Sequence, residues 1–338
     1  MHEAAYPELG MSVGIVCGIC PRACKLAEGG IGECGARANL RGAVKAISYG
    51  YVCSAAVDPV EKKPLHHFLP GTGIFSIAAP GCNLHCAMCQ NWQISQVRPK
   101  EAGTPEGMEL PPEDVPAKAA EYGCPSVAYT YTEPLVNYEY TLDSCRLCRK
   151  AGLKNVLVTA AWVNEGPLKK LCEFVDAANV DLKGFSEEFY RETCDATLAP
   201  VLNSLKVMKK AGVFLEVTNL VIPGRNDSDA MLKGLVEWVA GELGPETPMH
   251  FSRFFPQHRL NDAPPTPEKT LLRAKELATG AGLKHVYLGN VSLPGGEDTA
   301  CAGCGKTVIE RRGYSILANR LESGKCPSCA RPVNGVWA

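Results

Sequence analysis

Short apolar and β-branched runs alternate along this chain with segments that have the composition of helices. From residue 127 onward each run follows a plausible helix, and a similar run precedes them at residues 74–81. Such alternation is typical of βα units, in which parallel strands form one sheet that helices cover. About seven strands in this order predict an α/β fold, with a full or partial (β/α) barrel rather than an open doubly wound sheet. The predicted strands are residues 74–81, 127–134, 154–162, 178–185, 214–224, 249–256 and 284–290.

The segments between these runs carry helix start and stop signals. Residues 111–123 open with prolines and acids and stop at a glycine, and residues 199–212 end in Lys-Lys-Ala-Gly. Similar signals bound helices near 228–243 and 267–280. In a barrel of this kind the chemistry lies where the strands end. We therefore expect functional side chains directly after the predicted strands.

Composition limits the classes of protein that fit. Lys and Arg number 35 against 36 Asp and Glu, which gives no indication of nucleic-acid or membrane-surface binding. The amino-terminal residues lack the pattern of a signal peptide, and no apolar run approaches the ~18 residues that span a bilayer, so we expect a cytoplasmic protein. In that compartment the 17 cysteines are better explained as metal ligands than as disulfides.

The cysteines cluster at three places, which suggests a domain organisation. At 338 residues the chain is long enough for about two domains, or for one barrel with appendages. We predict an amino-terminal cysteine-rich metal-knuckle segment with a lead-in, the barrel, and a small carboxy-terminal four-cysteine unit. Their predicted bounds are residues 1–70, 71–295 and 296–338.

The central cysteine group directly follows the first predicted strand. Cys82, Cys86 and Cys89 are spaced by three and two residues within "GCNLHCAMC". Three thiolates do not close a tetrahedral zinc site. Cysteine thiolates also hold iron–sulfur clusters, usually four to a cubane. A three-cysteine loop would therefore leave one iron of a 4Fe-4S cluster open to another ligand.

"CNLHCAMC" resembles the Cys-x3-Cys-x2-Cys loop of radical S-adenosylmethionine (SAM) enzymes. With "YTYTEPLVNYEYTLD", "NVDLKGFSEEFY", "VTNLVIPGRNDS", "HFSRFFP" and "YLGN" in order, the chain is similar to the radical SAM member of the AmmeMemoRadiSam system, a relative of pyruvate formate-lyase activating enzymes. The resemblance implies an oxygen-sensitive cluster whose open iron binds the SAM amino and carboxylate groups. It also implies one-electron reduction that cleaves SAM to methionine and a 5′-deoxyadenosyl radical.

The resemblance assigns roles near SAM to several residues. Glu133 would hold the SAM ammonium, with a helix cap as the alternative. Asp181 and Lys183 would lie near the SAM carboxylate or ribose, with a rim salt bridge as the alternative. Met88 replaces the usual aromatic residue beside the adenine, and its thioether can fill that place.

Two residues at later strand ends and one departure from the family complete the predicted site. Asn219 and His250 could reach SAM or substrate, although a lone histidine is often structural. Where many relatives read Thr-Asn-Gly, this chain reads "TAA" at residues 159–161, which leaves its substrate contacts open. No residue is assigned a catalytic role beyond cofactor binding.

The terminal cysteine groups predict further metal sites. The carboxy-terminal group has the Cys-x2-Cys repeat of zinc ribbons around a hairpin-like segment, and predicts a closed structural zinc, with rubredoxin-like iron as the alternative. The spacing of the amino-terminal group fits either zinc or an auxiliary iron–sulfur cluster. Cys145 and Cys148 are interpreted as packing residues on a helix, and Cys53, Cys124, Cys172 and Cys194 have no partner in sequence. The predicted metal ligands are Cys301, Cys304, Cys326 and Cys329 in the first group, and Cys17, Cys20, Cys24 and Cys34 in the second.

Three functions are compatible with these features. The first is a radical SAM oxidoreductase acting on an unidentified substrate. The second is an activase that places a glycyl radical on a partner protein. The third is a non-catalytic iron–sulfur or zinc scaffold, which would need neither an open iron nor Glu133. The resemblance further implies an electron donor such as a flavodoxin or ferredoxin, and a Memo- or AMMECR-type partner or a peptide or protein substrate.

Overall fold

The secondary structure follows the predicted alternation of strands and helices. This computed structural model describes residues 2–3, 7–8, 14–99 and 107–337. Its strands are β1 (His2–Glu3), β2 (Pro7–Glu8), β3 (Ile15–Cys17), β4 (Lys25–Leu26), β5 (Arg37–Leu40), β6 (Ala43–Ala46), β7 (Tyr51–Val52), β8 (Ser54–Pro59), β9 (Gly73–Ala78), β10 (Met108–Glu109), β11 (Ser126–Tyr129), β12 (Lys154–Thr159), β13 (Ala177–Asp181), β14 (Phe214–Val221), β15 (Met249–Arg253), β16 (Val286–Gly289), β17 (Thr299–Ala300), β18 (Thr307–Arg312) and β19 (Ser315–Asn319). Its α-helices are α1 (Trp92–Ser95), α2 (Asp114–Glu121), α3 (Tyr138–Lys150), α4 (Glu165–Cys172), α5 (Glu187–Cys194), α6 (Leu198–Lys210), α7 (Asp229–Trp238) and α8 (Glu268–Gly280). Shorter helical segments are Val60–Lys62, Pro134–Asn137 and Val239–Leu243.

The main sheet has eight strands in the order β16-β15-β14-β13-β12-β11-β9-β8. Neighbours from β9 to β16 are parallel, and β8 pairs antiparallel with β9 at the edge. The predicted mostly parallel sheet is therefore confirmed. Its order follows the chain without reversal, unlike a doubly wound sheet. Within the described residues no ladder joins β16 to β8, so the sheet is a partial barrel with two edges.

Local signals in the sequence explain where the helices begin and end. Ser186 caps α5, its Oγ accepting a hydrogen bond from the Phe189 N–H at 3.1 Å, and Ser228 caps α7 in the same way. Helix α5 ends at Asp195, whose φ of 52° is left-handed. The helix predicted near 228–243 is in two parts, because a π-helical segment follows α7.

Strand β14 shows how alternation divides side chains between the two faces of the sheet. Thr218 and Leu220 line the cavity inside the barrel, whereas Val217, Asn219 and Val221, which alternate with them, are buried and do not line it. The outer face is buried because helices cover the sheet on that side, whereas the inner face also carries polar residues such as Glu216 and Thr218. The main apolar core includes residues of the sheet and of its covering helices, and a smaller core lies between the sheet and the β8–β9 connection.

The amino-terminal region packs beside the barrel and also contributes to it. It contains two small antiparallel sheets, β2-β3-β4 and β1-β6-β5. Buried Arg37 joins it to the barrel helices through a bidentate ion pair with Glu139 of α3, with N–O distances of 2.7 and 3.0 Å. The boundary predicted between residues 70 and 71 falls between β8 and β9, which pair with each other, so the structure places β8 with the main sheet.

The carboxy-terminal unit is a three-stranded antiparallel sheet, β17-β18-β19. Its predicted hairpin is confirmed, with Gly313 in the turn at a φ of 57°. The unit packs against the connection between β8 and β9: the Arg311 guanidinium donates to the His66 carbonyl at 2.6 Å, and the Leu69 N–H donates to the Val336 carbonyl at 2.8 Å. It therefore docks on the residues that link these two strands.

None of the described helices is both long and apolar enough to cross a membrane.

Candidate active site

A cavity of about 510 Å³ lies where the parallel strands of the main sheet end. Its walls come from the residues that follow successive strands, as expected for a (β/α) barrel. The three central cysteines and the predicted SAM-contact residues Met88, Glu133, Asp181, Lys183 and His250 all line this one cavity. The structure therefore brings together side chains that are up to 168 residues apart in the chain (Cys82 to His250).

The central cysteine loop is held by backbone hydrogen bonds to the amino-terminal region. The Cys82 N–H donates to the Cys34 carbonyl at 3.1 Å. Gly81 precedes it with a φ of 98°, and a Cβ there would collide with the same carbonyl, so this position requires glycine. The Cys89 sulfur lies 3.2 Å from the Ser95 hydroxyl. The loop is thus pre-shaped by the protein.

The spacing of the three thiols fits a cluster better than a single ion. Among the described residues, the only group of three or more potential ligand atoms within 4.8 Å of one another is at the carboxy terminus, so Cys82, Cys86 and Cys89 are more widely separated. Thiolates on one zinc ion would lie about 3.8 Å apart, from a Zn–S distance of about 2.3 Å. Three thiolates on three different irons lie further apart, which suits these residues to a cubane.

Cys194 is a neighbour of this loop that the sequence did not reveal. Its thiol lies close enough to the Cys86 thiol to lower the pKa of Cys86. The end of α5 also supports the loop through its backbone, since the Cys194 carbonyl accepts from His85 N–H at 3.1 Å. A single cysteine at a helix end carries no sequence signal of such a contact.

Glu133 follows β11 and is 2% exposed. One carboxylate oxygen accepts from the Thr159 hydroxyl at 2.6 Å and from the Leu135 N–H at 3.2 Å, and the other accepts from the Ala160 N–H at 2.9 Å. Burial raises the pKa of Glu133 above its ordinary value, although these three hydrogen bonds act to lower it. The predicted alternative, a helix cap, is present, because Leu135 lies in the 3-10 helix that Glu133 caps. A carboxylate has about four acceptor positions, so one remains for a cationic group in the cavity.

Asp181 ends β13, and Lys183 lies just beyond it. Their side chains form an ion pair with an Nζ–Oδ2 distance of 2.9 Å. Burial acts to lower the pKa of Lys183, but Asp181 and the nearby thiols of Cys86 and Cys194 outweigh it and raise that pKa. The pair is therefore the predicted rim salt bridge and, at the same time, part of the cavity wall.

Met88 and His250 line the cavity, whereas Asn219 does not. Met88 is buried, as packing beside a ligand would require. The Asn219 amide donates to the Leu182 carbonyl at 2.7 Å, and its neighbours Thr218 and Leu220 form the wall at β14. Strand alternation thus keeps Asn219 from the cofactor or substrate contact predicted for it.

His250 belongs to a buried polar network that sequence reasoning missed. Its Nε2 lies 2.7 Å from Glu216, a fully buried residue of β14. Glu216 also accepts from the backbone N–H groups of His66 and His67 at 3.0 and 2.7 Å. A glutamate inside the apolar run "FLEVTNLV" was the available signal.

Comparison with known proteins decides the family. The sequence profile of the Radical SAM superfamily matches residues 76–237, a segment that contains the cysteine loop, Glu133, Asp181 and Lys183. The chain belongs to the radical SAM superfamily. The family implies a 4Fe-4S cluster and SAM, and the donor set of the cavity fits both.

Relatives of this radical SAM protein are similar over different lengths. An uncharacterized protein of Methanocaldococcus jannaschii is 45% identical over 336 residues, which is 99% of both chains. The pyruvate formate-lyase-activating enzyme of Clostridium pasteurianum is 22% identical over 172 residues, covering 49% of this chain and 69% of that one. The crystal structure of a radical SAM methyltransferase from Sphaerobacter thermophilus superposes with a TM-score of 0.52 at 17% identity, over 71% of each chain. That structural similarity concerns the fold alone.

The carboxy-terminal cysteines of the radical SAM protein form a compact group. The ligand atoms of Cys301, Cys304, Cys326 and Cys329 all lie within 4.8 Å of one another, with Cys301 and Cys329 sulfurs 3.5 Å apart. The Gly303 N–H donates to the Cys301 sulfur at 3.4 Å. Four sulfurs this close can hold one metal ion.

Six of the remaining cysteines of the radical SAM protein form two groups. Cys145 and Cys148 are fully buried on α3, where the Tyr129 hydroxyl contacts the Cys148 sulfur at 3.8 Å, in line with a packing role. The four amino-terminal cysteines line a separate small cavity beside the central loop; they are Cys17, Cys20, Cys24 and Cys34.

Proposed function

We propose that this protein reductively cleaves SAM at a 4Fe-4S cluster and uses the 5′-deoxyadenosyl radical to abstract a hydrogen atom from a substrate. The observation that carries this proposal is the shared cavity: three cysteines with no fourth cysteine ligand in their loop face the remaining acceptor position of Glu133. The cluster and SAM supply the radical chemistry. The protein supplies binding, orientation and exclusion of water.

The cavity residues divide this work. Cys82, Cys86 and Cys89 would hold three irons, and Glu133 would accept a hydrogen bond from the SAM ammonium, a charge-assisted contact. Lys183 carries a positive charge on the cavity wall, and its partner Asp181 accepts hydrogen bonds, so together they suit the carboxylate and ribose of SAM. Met88 offers a polarizable surface to the adenine.

The size of the cavity limits the reacting part of the substrate. The open face of the cluster, SAM and the substrate all share about 510 Å³. Tyr314 and Glu297 of the carboxy-terminal unit line the same cavity and narrow it from the open side of the barrel. A small molecule or a single side chain of a peptide fits these limits, and the exclusion of water protects the radical from side reactions.

A second candidate is an activase that transfers the radical to a glycine of a partner protein. The similarity to a pyruvate formate-lyase-activating enzyme favours it. The order of the six sequence blocks supports a place in the AmmeMemoRadiSam system, with a Memo- or AMMECR-type partner and a flavodoxin or ferredoxin as electron donor.

For the carboxy-terminal group we propose a structural zinc. Four thiolates and no open position give a closed tetrahedral site, and the sulfur separations of 3.5 and 3.7 Å match about 3.8 Å for zinc. Rubredoxin-like iron is the alternative, because it uses the same geometry.

The test of the main proposal is anaerobic reconstitution with iron and sulfide, followed by addition of dithionite and SAM. We expect 5′-deoxyadenosine from the wild type and none from Cys86→Ala, because a cubane with an open iron needs its third protein thiolate. Cys172→Ala, a buried cysteine on α4, is the matched control and should retain the activity. Equal 5′-deoxyadenosine from wild type and Cys86→Ala would exclude this site.

Two further measurements separate the candidate functions. With a deuterated small-molecule substrate, deuterium should appear in 5′-deoxyadenosine. With an activase, electron paramagnetic resonance should instead show a glycyl radical on an added partner protein. Absence of SAM cleavage under all conditions would leave only the scaffold.

A further inference from the structure

We propose that Cys17, Cys20, Cys24 and Cys34 hold a second 4Fe-4S cluster, with four protein thiolates and no open iron, against the loop that carries the first. The site is independent of SAM chemistry, since it rests on the arrangement of these four thiols. It extends the proposed function by adding a redox centre beside the active site.

The four thiols converge although the chain separates them by up to 17 residues (Cys17 to Cys34). All of them line one small enclosed cavity. The turn from Cys17 to Cys24 is closed by a hydrogen bond from the Cys17 N–H to the Cys24 carbonyl at 3.0 Å. A Cβ built on Gly32 would lie 3.8 Å from the Cys24 sulfur and 3.9 Å from the Cys34 sulfur, so these two sulfurs flank the same point.

The separation of the sulfurs favours a cluster over one zinc ion. Within the part of the chain that the structure describes, no three of these thiols lie within 4.8 Å of one another, in contrast to the carboxy-terminal group. A zinc ion would need all four about 3.8 Å apart. A cubane binds each thiolate at a different iron and so places them around a larger object. The two four-cysteine groups of this chain therefore suit different metals.

The surroundings of the cavity suit an anionic cluster. Arg37 is 2% exposed, lines the cavity and lies close enough to Cys17 and Cys34 for their charges to act on it. Its ion pair with Glu139 fixes its guanidinium in place. Arg22 also lines the cavity, and with four thiolates the cluster would be negatively charged, so these two cations would stabilise it.

The second site shares a wall with the SAM-cluster loop. The Cys34 carbonyl accepts from the Cys82 N–H, and the Arg22 guanidinium donates to the Asn83 carbonyl at 3.0 and 3.2 Å. Asn83 itself lines the second cavity. From this position the second cluster can take one electron from a low-potential one-electron carrier, which is oxidised, and return to its oxidised state by passing that electron to the neighbouring cluster.

The test compares iron, zinc and acid-labile sulfide in anaerobically reconstituted variants. The wild type should contain about eight irons and about eight sulfides, two cubanes' worth. The triple variant Cys82→Ala, Cys86→Ala, Cys89→Ala, which leaves the second site intact, should lose half of both. The double variant Cys20→Ala, Cys24→Ala should lose the other half, and Cys145→Ala, Cys148→Ala, a buried pair outside both sites, should lose neither.

Electron paramagnetic resonance shows which half of the iron belongs to which of the two sites. The dithionite-reduced triple variant should give a cubane electron paramagnetic resonance signal that SAM does not change, whereas SAM should shift the signal of the double variant. A triple variant without iron and sulfide, or with a second zinc in their place, would overturn the proposal, even if the double variant failed to fold. Failure of the proposed radical SAM function can be told apart from failure of this second-cluster proposal. The former would abolish SAM cleavage by the wild type, or the SAM-dependent shift in the double variant, without changing the iron content of the triple variant.

Discussion

At the scale of single residues, the buried carboxylate of Glu133 costs free energy, as is expected of a group that binds a ligand. Its carboxylate is almost completely buried, and burial raises its pKa, so its charged form is less favourable there than in water. Three donors from Thr159, Leu135 and Ala160 offset part of that cost. A purely structural cap would be served as well by a neutral side chain.

Glu133→Gln should therefore weaken SAM binding by roughly 10- to 100-fold, since a charge-assisted hydrogen bond is worth ~1.5–3 kcal/mol. Equilibrium binding of SAM to anaerobic, reconstituted protein measures the effect. Glu165→Gln, an exposed glutamate on α4, controls for loss of charge alone and should bind SAM as the wild type does. Unchanged affinity in Glu133→Gln would return this residue to its helix-capping role.

At the scale of secondary-structure elements, Glu216 joins three parts of the barrel. It lies on β14, pairs with His250 on β15, and accepts from the backbone of His66 and His67 before β9. Its side chain is fully buried. Removing it leaves three donors without their acceptor, which is among the most costly changes a core can suffer.

We expect Glu216→Ala to lower the unfolding free energy by about 3–5 kcal/mol, or the melting temperature by roughly 10 °C. Anaerobic thermal unfolding followed by circular dichroism measures this. Glu242→Gln, which breaks an exposed pair with Lys206, should cost less than about 1 kcal/mol. Similar losses in the two variants would show that Glu216 contributes no more than a surface pair.

The shifted pKa of Glu216 should make the stability of the protein depend on pH. Burial acts to raise the pKa of Glu216, but the His250 hydrogen bond and neighbouring charges outweigh it and lower that pKa. Because the pKa is lower in the folded state, Glu216 takes up its proton at a higher pH in the unfolded state than in the folded one. The contribution of Glu216 to the unfolding free energy is therefore fully present above its ordinary pKa of 4.5 and is lost as the pH falls through the pKa of the folded state. The difference in melting temperature between wild type and Glu216→Ala should thus shrink below about pH 4.5. A difference that stayed constant down to pH 3 would contradict this linkage.

The contrast between Glu216 and His250 shows what the sequence could predict. His250 lies in the predicted strand at residues 249–256 and was expected near the cavity, which it lines. Glu216 was missed because its role depends on two backbone N–H groups about 150 residues earlier, and backbone donors leave no pattern of side chains. Strand ends and cysteine spacings are local signals, whereas the choice of Thr218 rather than Asn219 as cavity wall depends on the register of β14 between β13 and β15.

At the scale of the whole molecule, the carboxy-terminal unit is part of the barrel's wall. The sequence predicted a separate metal-binding unit with a hairpin, but it did not reveal where that unit docks. The acceptors in the contacts are the backbone carbonyl groups of His66 and Val336, and backbone groups leave no pattern in a sequence. The unit also contributes Tyr314 to the cavity. We therefore expect a metal bound by the four cysteines of this unit to influence the shape of the cavity.

Cys304→Ser combined with Cys329→Ser should remove about one zinc per chain and leave iron and sulfide unchanged, because zinc needs its four thiolates and has no redox role. Both cysteines are exposed, so the substitutions spare the buried core of the unit. Metal analysis by mass spectrometry of protein purified without air measures the loss. Loss of one iron instead would identify a rubredoxin-like site.

SAM cleavage without substrate should persist in this double variant, while turnover should fall if the loosened unit no longer closes the cavity.

The contact between Arg311 and His66 also has a consequence for biosynthesis. The two edge strands of the main sheet, β8 and β16, have both been synthesised by residue 289, whereas the contacts that dock the carboxy-terminal unit need residues around 311 and 336, which are made later. Domains generally fold as units and in order of synthesis. We therefore expect the main sheet and the metal-binding loop of a nascent chain to fold before the carboxy-terminal unit docks against them.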